Sequence, residues 1–229
     1  QSCAGQVIPK QDYFKQMIKV VKEHGGVFIA DEVQTGFARI GTNFWAFEHY
    51  GITPDIVCIG KAMGNGFPVS AVICTKEVAA SFHKRNIEYF NTYGANPLAC
   101  VAAESVLDVI ERDQLQQNSK VVGEYLSGHL KQLLSYDFIG DIRGFGLFQG
   151  IDIVESKASK KPNGELASRI KALVREQNVL ISTDGIARNV IKFKPPIIFS
   201  KENVDQLITV LKSVLQRVSE EEEGKKRLE

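Results

Sequence analysis

Two ionisable residues thirty positions apart, Asp31 and Lys61, each close a run of apolar residues. The first run, VFIADE, ends in the carboxylates Asp31 and Glu32; the second, PDIVCIGK, ends in an amine followed by the turn GNGFP. A lysine held between an apolar strand and a glycine-rich turn, with no acid beside it in sequence, can lose its proton and act as a nucleophile that forms Schiff bases. An aspartate at a strand end has two uses: it caps the following helix, or it holds a cationic ring nitrogen. Lysine or aspartate alone in such a place would read as a solvated charge or a cap. Together, at matched strand ends, they read as two halves of one reactive site.

Runs of Val and Ile that end in a charged residue suit buried parallel strands whose C-terminal ends open on a crevice, where ligands bind in α/β sheets. The pattern predicts an amphipathic helix over residues 11–24, stopped by Gly25-Gly26, then strands over 27–30 and 55–59. A third strand over 69–75 follows with no helix between, so it should run antiparallel to its neighbour. A short helix covers 76–84, and Pro97 suits the first position of a long helix ending near Glu111. Another helix runs from about Leu115 to Leu134. Beyond it the character changes: two strands over 138–154 meet at a Gly-x-Gly corner, and a helix reaches about Gln177. Short strands over 179–182 and 190–193 flank a turn at 183–185, and a final helix covers roughly 201–218. The tail SEEEEGKKRLE reads as a solvated, disordered charge run. The aromatics Phe44, Trp45, Phe47 and Tyr50 read as packing beneath the loop after the first strand.

Composition narrows the function classes. The 229 residues, 44% hydrophobic, suffice for one large or two modest cores. A formal net charge of +1 gives no footprint for nucleic acid or an anionic membrane. No apolar run approaches the roughly 20 residues of a bilayer span. The four cysteines (Cys3, Cys58, Cys74, Cys100) form no C-x-x-C pair; Cys58 and Cys74 fall in strand patterns and are expected as reduced core thiols of an intracellular protein. The four histidines fit no metal spacing, so no metal is expected.

Pyridoxal 5'-phosphate (PLP) chemistry asks for the two groups singled out above: a Schiff-base lysine, and an acid on the pyridinium nitrogen that keeps the ring an electron sink. Four ordered blocks, DEVQTGFARIG, PDIVCIGKAMGNGFP, NTYGANP and GDIRGFGLFQGIDI, resemble the signature blocks of class III PLP-dependent aminotransferases, with the likeness running to about Val218. QSCAGQVIP, EYFNTYG and NVIKFKPP are similar to the branch of alanine–glyoxylate aminotransferase 2-like proteins and the phospho-lyases of ethanolamine phosphate and phosphohydroxylysine.

The resemblance implies a type I PLP-dependent transferase fold of class α/β: the C-terminal part of a large domain with a mainly parallel sheet (1–112), a small α+β domain (113–218) and the tail (219–229). It also implies roles. Lys61 matches the Schiff-base lysine, Asp31 the partner of the pyridine nitrogen, Val33 a residue packed on the ring face, and Gln34 a contact to the ring hydroxyl. Thr92 matches a threonine that reaches the cofactor phosphate across a homodimer interface. Arg143 matches an arginine that binds a substrate carboxylate, with a structural ion pair as its alternative. The expected activity on a small primary amine is phospho-lyase, with an alanine–glyoxylate-type transaminase or a catalytically incompetent interaction subunit as alternatives, in a mitochondrial or cytoplasmic setting.

Two departures stand out. Relatives carry glycine where this chain has Ala38; a left-handed backbone there would strain alanine by about 1 kcal/mol. The family's phosphate-cradling Gly/Ser turn and ring-stacking aromatic are expected upstream of residue 1, so the chain reads as N-terminally truncated and, alone, as a weak binder of PLP.

Overall fold

The structure, a computed structural model, describes residues 2–85 and 88–226. The chain divides into two compact units: Pro9–Gln117, and the N-terminal segment up to Ile8 together with the chain from Asn118 onward. The break near residue 117 falls inside the expected helical connection, a few residues beyond the boundary drawn at 112. The first eight residues, expected with the first domain, join the second unit instead. Gly5 O accepts from Arg143 Nε (3.0 Å), Gln6 Nε2 donates to Asp184 Oδ2 (3.2 Å), and Gly185 N donates to Cys3 O (3.3 Å).

The first unit holds helix α1 (Tyr13–Glu23), strand β1 (Ile29–Asp31), the single turn α2 (Ala46–His49) and strand β2 (Ile56–Ile59). A 3-10 turn (Lys61–Met63), strand β3 (Ala71–Cys74) and helices α3 (Lys76–His83) and α4 (Pro97–Arg112) complete it. β1 pairs parallel with β2, and β3 runs antiparallel to β2 as the short connection required. Pro97 occupies the first turn of α4, and the Asn96 side chain caps it by accepting from Ala99 N at 3.0 Å. This sheet is thinly covered. Ile29 on β1 and Val72 and Ile73 on β3 are more than half exposed. Cys74 is therefore exposed and Cys58 only partly covered, not core thiols as their strand positions suggested, because β3 is an edge whose outer side meets solvent.

The second unit contains α5 (Leu115–Gln132, beginning in the first), β4 (Ile139–Phe145), β5 (Phe148–Ile153), α6 (Gly164–Glu176), β6 (Ser182–Asp184), β7 (Val190–Phe193) and α7 (Lys201–Lys226). Its antiparallel sheet has the order β4-β5-β7-β6. Ile139, Ile151 and Ile191 from the sheet meet Leu126, Ile170 and Leu211 from the helices in one core, all at most 1% exposed. Gly123 of α5 must be glycine: a Cβ there would stand 2.3 Å from the Gly146 backbone at the β4–β5 corner. β6 lies three residues later than expected. Thr183 and Asp184 pair with Ile191 and Val190, Lys192 bonds Asp184 at 2.7 Å, and the reversal comes only at Gly185–Arg188. The charged tail also differs: α7 continues past Val218 to Lys226, held by Glu221 bridging Arg169 of α6 and Arg217 one turn back. Residues 227–229 lie outside the described residues. No helix among the described residues is long and apolar enough to cross a membrane.

Asp55 ties the first unit together at the start of β2. It accepts from Lys22 of α1 and, at 2.7 Å, from Phe28 N before β1. The Lys22 hydrogen bond first, and the Phe28 N–H second, lower its pKa against a smaller opposing effect of burial. A depressed carboxylate stabilises the fold above its unfolded value, near 3.9, and that contribution disappears as pH falls through the lower folded value. Asp55→Asn should therefore lower stability at neutral pH by about 2 kcal/mol. Thermal midpoints followed from pH 6 to pH 2 should fall less steeply in the variant than in the parent; parallel curves would count against this role.

Candidate active site

Asp31 and Lys61 stand at the same end of two adjacent strands. The β1–β2 register pairs Asp31 with Cys58, and Glu32 N extends the ladder by donating to Cys58 O at 2.9 Å. Lys61 follows three residues after Cys58, on the 3-10 turn that rests beside α4. Parallel pairing thus brings a carboxylate and an amine to one sheet edge at its carboxyl end.

Side chains alternate along β1. Ile29 and Asp31 are exposed, whereas Ala30 and the following Glu32 are buried. Asp31 closes a run read as a buried strand, yet its side chain is exposed, with Oδ1 accepting from Val33 N at 3.1 Å. Capping of the next helix, its alternative use, falls to Glu32 instead. Glu32 Oε1 accepts from Phe47 N (2.9 Å) and Oε2 from Ala46 N (3.0 Å), the first two residues of α2, while Thr35 Oγ1 donates to Oε2 at 2.8 Å. Gly36 N returns to Glu32 O at 3.0 Å.

The loop from Val33 onward then turns through two left-handed residues, Phe37 (φ 56°) and Ala38 (φ 63°). Phe37 packs against Phe44 and Trp45, with ring centroids 5.5 and 5.3 Å away. Gly36 admits the Trp45 ring, which would lie 2.7 Å from a Cβ at that position. The aromatic patch therefore packs under the loop, as its composition suggested. Arg39 lies in the same loop, its pKa lowered to about 10 by burial, so it remains charged at neutral pH.

Lys61 itself has φ 42°, a left-handed conformation that costs an L-residue free energy and collects at functional sites. The turn after it is built to hold that geometry. Asn65 N and Gly64 N both donate to Lys61 O, at 3.1 and 3.2 Å. Gly64 leaves no room for a side chain, since a Cβ would meet Phe67 O at 2.1 Å. Val33 lies against the residue before the lysine: its Cγ2 is 3.8 Å from where a Gly60 Cβ would be. Asp31, Val33 and Lys61 thus stand at the same end of β1 and β2, with Gln34 next in the loop. Thr92 is in the same unit, exposed in the turn at 92–95, among the exposed Tyr89, Phe90 and Tyr93.

Arg143 lies in the other unit. Its Nη1 donates to Asp141 Oδ2 and Asp152 Oδ2, each at 2.9 Å, and its Nε to Gly5 O. Burial opposes its charge, but the bonds to Asp152 and then Asp141 outweigh that and raise its pKa. This is the ion-pair environment foreseen as the alternative to carboxylate binding.

The comparisons with known proteins identify the family. The model of the class-III aminotransferase family matches residues 1–215. The chain belongs to that family. It is 46% identical over 226 residues to an alanine–glyoxylate aminotransferase 2-like protein of Drosophila melanogaster, covering 96% of this chain and 45% of that one. It is 48% identical over 219 residues to ethanolamine-phosphate phospho-lyase homolog 1 of Caenorhabditis elegans, covering 94% and 47%. Among solved structures, an Arthrobacter phospholyase in complex with phosphoethanolamine superposes with a TM-score of 0.90 at 35% identity, covering 94% of this chain and 51% of the other. The chain thus spans about half the length of the relatives it matches.

Membership in this family of PLP-dependent enzymes, with the type I transferase fold, brings PLP as the cofactor. The residues on the strand ends fit its demands: an exposed amine, an exposed carboxylate at the matched end of the neighbouring strand, and an apolar side chain against the glycine between them.

The geometry of the loop also settles the Ala38 question, because the position is left-handed and fully buried. Ala38→Gly relieves about 1–2 kcal/mol of backbone strain. It also gives up about 0.8 kcal/mol of methyl burial and about 0.4–1 kcal/mol through unfolded-chain entropy. Chemical denaturation should find the variant within about 1 kcal/mol of the parent, while Ala38→Val should lose at least about 2 kcal/mol. A large gain for glycine would show that strain dominates the position.

Proposed function

We propose that this chain carries half of the catalytic apparatus of a PLP-dependent phospho-lyase acting on a small phosphorylated primary amine. The observation that carries the reading is the matched placement of Asp31 and Lys61 on adjacent parallel strand ends, in a chain whose relatives include proteins named for that activity. Bound PLP supplies the electron sink that acidifies the carbon bearing the amine.

The chain's residues do the rest. Lys61 would hold the cofactor through its amine and would take the proton from the carbon bearing the substrate amine. Asp31 keeps the ring nitrogen protonated by its charge. Val33 and Gln34 hold the ring in register. Loss of phosphate from the neighbouring carbon, followed by hydrolysis, gives aldehyde, ammonia and inorganic phosphate with the uptake of one water. Arg143 is proposed to bind a substrate carboxylate, with Asp141 and Asp152 fixing the guanidinium. Thr92 is proposed to serve the partner's site in a homodimer; the exposed aromatics around it and the exposed Leu98 and Val101 of α4 support an apolar interface there.

The full-length protein incubated with phosphoethanolamine or phosphohydroxylysine should release phosphate with no keto acid present. Lys61→Ala should reduce that release by at least about a thousandfold, as loss of a covalent catalyst does. Strict dependence on pyruvate or glyoxylate would replace the lyase with an alanine–glyoxylate-type transaminase.

A further inference from the structure

Glu32 is the buried carboxylate of the described residues, at 3% exposure. A buried charge is tolerated only when its oxygens are satisfied. Its donors include the Thr35 hydroxyl and the backbone N–H groups of Ala46 and Phe47, all in one stretch. Its own backbone is engaged on both sides, N–H to Cys58 O and C=O from Gly36 N. One residue thereby joins the end of β2, the start of the loop and the far end of the loop. It faces away from Asp31, so it is not placed to touch the cofactor. Val33 follows it directly and lies against Gly60, one residue before Lys61.

We infer that Glu32 is a positioning residue of the site: its carboxylate clamps the loop 33–47 and so sets where Val33 and Gln34 stand relative to Lys61. This rests on the PLP reading of Asp31 and Lys61 above.

Two substitutions probe the clamp in different ways. Glu32→Gln keeps the volume but turns an amide N–H₂ toward backbone N–H donors. Ala46→Pro removes one donor from the other side. Ala46 is the first residue of α2 and Trp45 before it is extended (φ −110°, ψ 141°), so proline fits both backbones. Trp45, the one tryptophan of these 229 residues, reports the loop by the part of the emission that Trp45→Phe removes.

In the full-length protein, folding is checked by circular dichroism and PLP binding by titration of its visible absorbance. Glu32→Gln is expected to weaken PLP binding by roughly tenfold to a hundredfold. Ala46→Pro should weaken it by roughly threefold to tenfold. In both, the absorbance maximum of the bound cofactor should shift, a signature that a merely structural residue would not move. Folded variants with altered Trp45 emission but PLP affinity within about twofold of the parent, and an unshifted band, would overturn the inference. Should Glu32→Gln fail to fold, Ala46→Pro decides. Should the parent bind no PLP, the PLP reading falls. The clamp is then judged by amide exchange at Val33 and Gln34: faster in both variants supports it, and unchanged rates overturn it.

Discussion

The parallel pairing of β1 with β2 is the constraint on which the candidate site depends. Its register sets Asp31 opposite Cys58 and is carried one residue further by the hydrogen bond from Glu32 N. A slip of one residue would turn Asp31 into the buried side and bring Glu32 out to the site side, because strand side chains alternate. The hydrogen bonds of Glu32 to the loop act against that slip: they stabilise only the register in which Glu32 faces inward.

The two strand ends are built differently. After β1, a long loop folds back over its own aromatics and is closed by a buried carboxylate. After β2, the chain turns at once through a left-handed lysine and a glycine that cannot be replaced without moving Phe67. At these two ends the backbone is left-handed at Phe37 and Ala38 and at Lys61 and Asn65, where neighbouring packing and hydrogen bonds hold it in place. The second unit has a dense, continuous core, and on its sheet Arg143 is tied to Asp141 and Asp152.

Much of this was legible in the residues. Apolar runs, glycine stops and Pro97 located the longer helices and most strands, though not the single turn α2 or the bounds of β6, and the short link before β3 gave its direction. What stayed hidden depended on long-range return of the chain. Glu32 could not be distinguished from an ordinary strand-end acid without knowing that residues 46 and 47 come back to it. The membership of residues 2–8 in the second unit required their contacts with β4, 138 positions away, with β6, 178 positions away, and with β7. The extension of α7 through an acidic run was masked by composition, since its support is a cross-helix arginine, Arg169. Exposure at Cys74 and Asp31 reflects what covers a strand, and no strand's own sequence states that.

The central claim is that Lys61 is the amine that holds the cofactor. Borohydride reduction of the full-length protein in the presence of PLP, followed by peptide mass mapping, tests it directly. The account predicts one phosphopyridoxyl-modified peptide, carrying the adduct at Lys61 and lost in Lys61→Ala. Saturating modification of another lysine with Lys61 unmodified would contradict it.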